Sequence, residues 1–202
     1  EEFFSPVVRP HLGDGYSPWP PYRTGNSLVF DIPAWADSGN GIGQVNSSES
    51  KKNQTLKLYQ GDTLLIEGKG QTLSLNKPVP EEKTQYRLVS DANRDPNRWK
   101  TSLSTHTEWT FWSEKRRNIT LLPLYSLDYK VETDMNGNAL AAPPTTLELS
   151  VAKLEGVAGY GKLDYGKIEG ATLEVSFNEG ESWEPANLKR LADNKWEAKF
   201  KN

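Results

Sequence analysis

The chain has 202 residues, a formal net charge of -3 and no cysteine. That length buries roughly 70% of the unfolded surface in one large or two small domains, while a disulfide framework and a thiolate metal site are both excluded. The basic residues form no arm or stripe, which argues against phosphate-backbone binding and nucleic acid as a partner, and no apolar run reaches the roughly 18 to 20 residues that span a bilayer.

Short apolar or alternating runs between turn residues predict strands, in chain order, at 27–30, 56–59, 63–66, 72–75, 86–89, 109–112, 122–131, 146–151, 171–177 and 196–200. No window keeps an apolar period of 3.6 residues over three turns. Gly61-Asp62, Asn136-Gly137 and Asn178-Glu179-Gly180 fall between such runs, where Gly or Asn can take the positive φ of tight hairpins. The expected fold is therefore all-β: two tandem antiparallel β-sandwich domains, immunoglobulin- or fibronectin III-like or jelly-roll-like. The charged run Glu114-Lys115-Arg116-Arg117 marks the expected linker, giving a sandwich over 1–115 and a second, smaller one over 116–202.

The sharpest motif is Ser176-Phe177-Asn178-Glu179-Gly180-Glu181-Ser182-Trp183, which resembles the Asp-box of sialidases and other exported β-proteins, with Asn178 where Asp is usual. Its logic is structural. A short polar side chain bonds the turn's own backbone, Gly180 supplies positive φ, and Trp183 packs back over the hairpin. Oxygen ligands that could hold calcium gather at Asp31, Asp37 and Asn40, and again at Asp134, Asn136 and Asn138, although Asn-Gly turns use such residues without metal. His11 and His106 are too few for a zinc set without cysteine. Trp19, Tyr22 and Trp35 could form a stacking platform for sugars or a groove for an extended peptide. Aromatics beside prolines more often pin a loop to its sheet.

Asp37-Ser38-Gly39 looks like the turn that carries the catalytic Asp of subtilisin-like proteases. Its setting is wrong, however, and neither a His-Gly-Thr string nor a Gly-Thr-Ser-Met-Ala string is present. An ordered series of landmarks nonetheless resembles the segment that follows the catalytic domain in secreted bacterial subtilases. It comprises Val8-Arg9-Pro10, Arg23-Thr24-Gly25-Asn26-Ser27-Leu28, Asp31-Ile32-Pro33 with Asp37, and Leu58-Tyr59-Gln60-Gly61-Asp62. Tyr86-Arg87-Leu88, the run Ser104 to Ser113, Leu122-Pro123-Leu124 with Tyr129, and Leu173 to Ser176 leading to Trp183 complete it.

The resemblance implies a non-catalytic accessory region that stabilises or positions an extracellular serine protease or contacts its substrate. It implies secretion or cell-wall association, with the protease catalytic domain as a partner and a protein substrate or cell-surface glycan as a further one. It transfers no catalytic residue. The alternative expectation is a carbohydrate- or cell-wall-binding sandwich module, which the aromatic clusters Trp19, Tyr22, Trp35 and Trp109 to Trp112 would support if several rings are exposed and coplanar. Of Trp19, Trp35, Trp99 and Trp112, most are instead expected to be buried. The chain opens on Glu1-Glu2, where a signal peptide would carry positive charge, so it is expected to be cut from a longer one.

Overall fold

A computed structural model describes residues 20–36, 42–43, 48–99, 101–131, 144–154, 163 and 165–200. The first strands are β1 (Tyr22–Thr24), β2 (Ser27–Asp31), β3 (Trp35–Ala36) and β4 (Ile42–Gly43). After the short helix α1 (Ser48–Asn53) come β5 (Gln54–Gln60), β6 (Thr63–Lys69), β7 (Thr72–Leu75), β8 (Thr84–Asn93), β9 (Ser104–Ser113) and β10 (Thr120–Leu121). The series ends with β11 (Tyr125–Val131), β12 (Thr145–Lys153), β13 (Leu173–Val175), β14 (Glu184–Ala186), β15 (Lys189–Ala192) and β16 (Lys195–Phe200). All the strand pairings resolved residue by residue are antiparallel, as the all-β reading expects.

The chain divides into two compact units, but at a different place from the charged run. One unit runs to Ser126 and takes back Lys153–Tyr165; the other comprises Leu127–Ala152 and Gly166–Asn202. The expected division between 115 and 116 gives way to one between Ser126 and Leu127, with a returning segment. The reason is a set of specific bonds. The Tyr165 hydroxyl accepts from the Leu154 amide at 3.0 Å and donates to the Leu124 carbonyl at 3.3 Å, while the Tyr125 hydroxyl donates to the Tyr165 carbonyl at 2.8 Å.

In the first unit, a sheet of order β10-β1-β2-β7 and one of order β6-β5-β8-β9 share one apolar interior. Strand alternation sends Leu28 and Phe30 of β2, Leu73 and Leu75 of β7, Leu56 and Leu58 of β5, Tyr86 and Leu88 of β8, and Trp109 and Phe111 of β9 inward. Phe30 meets Phe111 edge-on across the layers at 6.2 Å, and Phe111 stacks on Tyr86 at 5.9 Å. Two buried polar side chains join the sheets. Gln54 of β5 donates to the Ile32 carbonyl at 2.8 Å and to Ser90 at 3.2 Å. Arg23 of β1, 1% exposed, donates to the carbonyls of Pro80 at 2.7 Å and Gly25 at 3.0 Å, and reaches Ser113 of β9 at 3.5 Å. Burial pushes the Tyr86 phenol above its ordinary value, against the lowering field of Arg23.

Turn chemistry explains the hairpins. Gly61 follows β5 with φ +56, the positive angle that a two-residue hairpin with Gly in first place requires, and Gln60 pairs directly with Thr63. The expected strand at 122–131 begins only at Tyr125. Pro123 has no amide to give a ladder, and the Leu124 amide turns back to the Leu122 carbonyl.

In the second unit the sheet order is β11-β12-β16-β15, beside the two-stranded ribbon β13-β14. Leu149 and Trp196 are direct cross-strand partners and, with Ala198, form its buried centre. Lys195 of β16 pairs with Glu148 of β12 at 2.6 Å, and that bond holds the Glu148 carboxyl below its ordinary value.

The interior predicts a sharp contrast between two phenylalanines. Phe111→Ala is expected to cost about 3–5 kcal/mol in urea unfolding through the cavity it leaves. Phe177→Ala, at a ring 71% exposed, is expected to stay within about 0.5 kcal/mol of the parent chain.

Candidate functional site

The demands of the core decide what the other face of the β6-β5-β8-β9 sheet displays. On β9, Trp109 and Phe111 point inward, so His106, Glu108, Thr110 and Trp112 point outward and all four are exposed. The ladder sets Asp91 of β8 opposite His106, Val89 opposite Glu108, Arg87 opposite Thr110 and Gln85 opposite Trp112. On the other side of β8, Tyr59 and Lys57 of β5 lie opposite Arg87 and Val89.

These side chains form a connected row. The His106 ring bonds Asp91 through Nδ1 at 2.6 Å and faces Glu108 through Nε2 at 3.4 Å. Glu108 accepts from Arg87 at 3.1 Å, and the Arg87 guanidinium lies 4.4 Å from the centroid of the Tyr59 ring. The hydrogen bond to Asp91, aided by the charges of Asp91 and Glu108, raises the His106 pKa above its ordinary value. Val89 points to this same face yet is 5% exposed. Beyond the row stands Trp112, 52% exposed, with the Lys83 ammonium 5.8 Å from its ring centroid.

The residues singled out in the sequence fare differently from one another. Trp19, Asp37, Asn40, Asp134, Asn136 and Asn138 lie outside the described residues. Asp31 accepts from the Gln71 side chain at 2.7 Å, and among the described residues no group of three acidic, His or Cys side chains is placed to hold a metal ion. Tyr22 is half-buried against the core. Trp35, 9% exposed, is covered by the Arg94 guanidinium at 3.8 Å, and Trp99 lies on that same guanidinium at 4.3 Å. Arg94 thus lies against both indoles, and Trp35 is a packing residue rather than an exposed ring. Burial lowers the Arg94 pKa to about 10, so it stays charged at neutral pH.

The structure does bring Ser176, Asn178, Gly180 and Trp183 together between β13 and β14. The Ser176 hydroxyl donates to Asn178 Oδ1 at 2.8 Å and accepts from the Gly180 amide at 2.8 Å. Asn178 Oδ1 also accepts from the Ser182 amide at 3.0 Å, while its Nδ2 donates to the Ser182 hydroxyl at 2.9 Å. Glu179 and Gly180 both take positive φ, at 58 and 90. A side-chain carbon at Gly180 would lie 3.7 Å from the Trp183 ring, so the indole rests over the turn while remaining 61% exposed.

Of the four tryptophans expected to be mostly buried, Trp35 is buried, Trp99 and Trp112 are exposed, and Trp19 lies outside the described residues. Trp109 and Trp196 are interior with Trp35, but Trp99, Trp112 and Trp183 face solvent. Arg87, His106, Glu108 and Trp112 entered the sequence reading as members of the landmark runs, and Trp109 to Trp112 as an aromatic cluster, but their joining with Asp91 into one row was not expected. The alternating Thr-His-Thr-Glu-Trp-Thr-Phe-Trp run at 105–112 was its available signal, since period two separates polar and apolar faces.

Two outcomes follow. The free imidazole titrates near 6.5 and the folded value is higher, so the His106 contribution is fully present below about pH 6.5 and is lost as pH rises through the folded value. The unfolding free energy from urea titration should fall more between pH 6 and pH 8.5 for the parent chain than for His106→Gln, by at most about 1 kcal/mol, because the site is exposed. Asn178→Ala removes the acceptor shared by Ser176 and Ser182. It should loosen the hairpin by about 1 kcal/mol, read as faster amide exchange at Gly180 and Ser182.

No protein-family model, curated protein or solved structure matches the chain.

Proposed function

We propose that this chain is a non-catalytic accessory region of a secreted subtilisin-like serine protease, stabilising or positioning the catalytic domain or contacting its substrate outside the cell. One observation supports the reading: several of the residues that resemble that segment of subtilases are framework residues of the first unit. Arg23 is the buried inter-sheet tie, Tyr86, Leu88, Trp109 and Phe111 are core, and Leu122 and Leu124 are buried in the turn before β11. A resemblance held at framework positions speaks for a shared scaffold rather than a shared active site. An accessory role follows from a scaffold whose polar groups are engaged in holding sheets together and whose exposed chemistry lies on a sheet face.

The test compares the full-length protein with a form lacking these residues. Deletion should shorten the half-life of peptidase activity at elevated temperature several-fold. The isolated chain should neither hydrolyse casein nor take up a fluorophosphonate probe. Hydrolysis by the isolated chain, or a parent polypeptide with no subtilisin-like domain, would overturn the proposal.

A further inference from the structure

We propose that the outward face of the β6-β5-β8-β9 sheet binds a neutral polysaccharide along β9, with Trp112 as the stacking ring and Arg87, Glu108, His106 and Asp91 as hydrogen-bonding partners of its hydroxyls. The inference goes beyond the accessory role and needs no attached peptidase.

Geometry supplies the first argument. Outward residues of one strand recur about every 6.8 Å, so Trp112, Thr110, Glu108 and His106 form a straight row roughly 20 Å long. An extended chain of sugar rings fits such a row. One ring stacks on the exposed indole through its C–H face, and later rings meet the Arg87–Glu108 and His106–Asp91 pairs. These pairs fix their side chains before any ligand arrives, which reduces the entropy lost on binding.

Charge decides the class of partner. Charges of both signs are interspersed: Arg87 pairs with Glu108, His106 with Asp91 and Glu108, and Lys57 of β5 stands opposite Glu67 of β6 in the ladder, while Lys69 bonds the Thr55 hydroxyl and Lys83 lies at the Trp112 ring. A face without a single-sign field has little to offer nucleic acid or a sulfated polymer. Nor does it suit the dry centre of a protein interface, where these charges would lose water without gaining partners. Sugar hydroxyls donate to carboxylates and accept from guanidinium and imidazole, so they can join the row without breaking it.

The experiment is affinity electrophoresis of the 202-residue chain through native gels holding mixed-linkage β-glucan, arabinoxylan, galactomannan or dextran, with a heparin gel as the anionic control. Retardation is expected in at least one neutral gel. Trp112→Ala should weaken it about ten-fold, Glu108→Gln should also weaken it, and Phe177→Ala in the other unit should leave it unchanged. Circular dichroism verifies that each variant is folded, and Glu108→Gln serves if Trp112→Ala is not. Retardation in no neutral gel, retardation by heparin alone, or undiminished retardation of the folded variants would overturn the inference. Failure here leaves the accessory role standing, because a half-life shortened on deletion is read independently. Glycan retention by a chain whose parent carries no peptidase would remove that role and keep this site.

Discussion

The closure of two sheets over the Phe30, Phe111 and Tyr86 rings is the constraint on which the first unit depends. A strand has only two faces, so fixing the inward set fixes the outward set as well. A slip of one residue in β9 would bring Glu108 and Trp112 to the interior and push Trp109 and Phe111 into water, at a cost no local gain could offset. Arg23 and Gln54 reinforce this register from within. Each is buried, and each hydrogen-bonds partners from beyond its own sheet, so sliding the layers would leave a guanidinium or an amide without acceptors.

The polar row on β8 and β9 is the complement of that interior. Its members face outward because their neighbours face inward, and the ladder between the two strands brings acid opposite base. A surface of this kind is polar and held by its own ion pairs, the ground on which a hydroxyl-rich partner is proposed.

The division of the chain shows how few bonds can relocate a boundary. The charged run at 114–117 is a solvated turn, with Lys115 paired to Glu81 and Arg116 to Glu114, while the following Leu121, Leu122 and Leu124 remain in the first interior. Leu154, Leu163 and Tyr165 join that same interior from a segment far along the chain. The Asp-box-like hairpin, by contrast, is a local object. The side-chain hydrogen bonds of its turn fall within Ser176 to Ser182, so the turn's form rests on local chemistry.

The sequence by itself determined the all-β class, most of the long strands and the Ser176 to Trp183 turn, because period-two alternation and turn chemistry act over two to eight residues and need no distant partner. Short strands such as β1, β10 and β14 carry too few residues to show a period, and they exist because longer neighbours offer them a ladder. The burial of Arg23, the stack of Trp35 on Arg94, the return of Tyr165 and the joining of Arg87, Asp91, His106 and Glu108 were decided only in three dimensions. Each depends on which strands become neighbours, and that choice belongs to the packing of the whole interior rather than to any window of the chain.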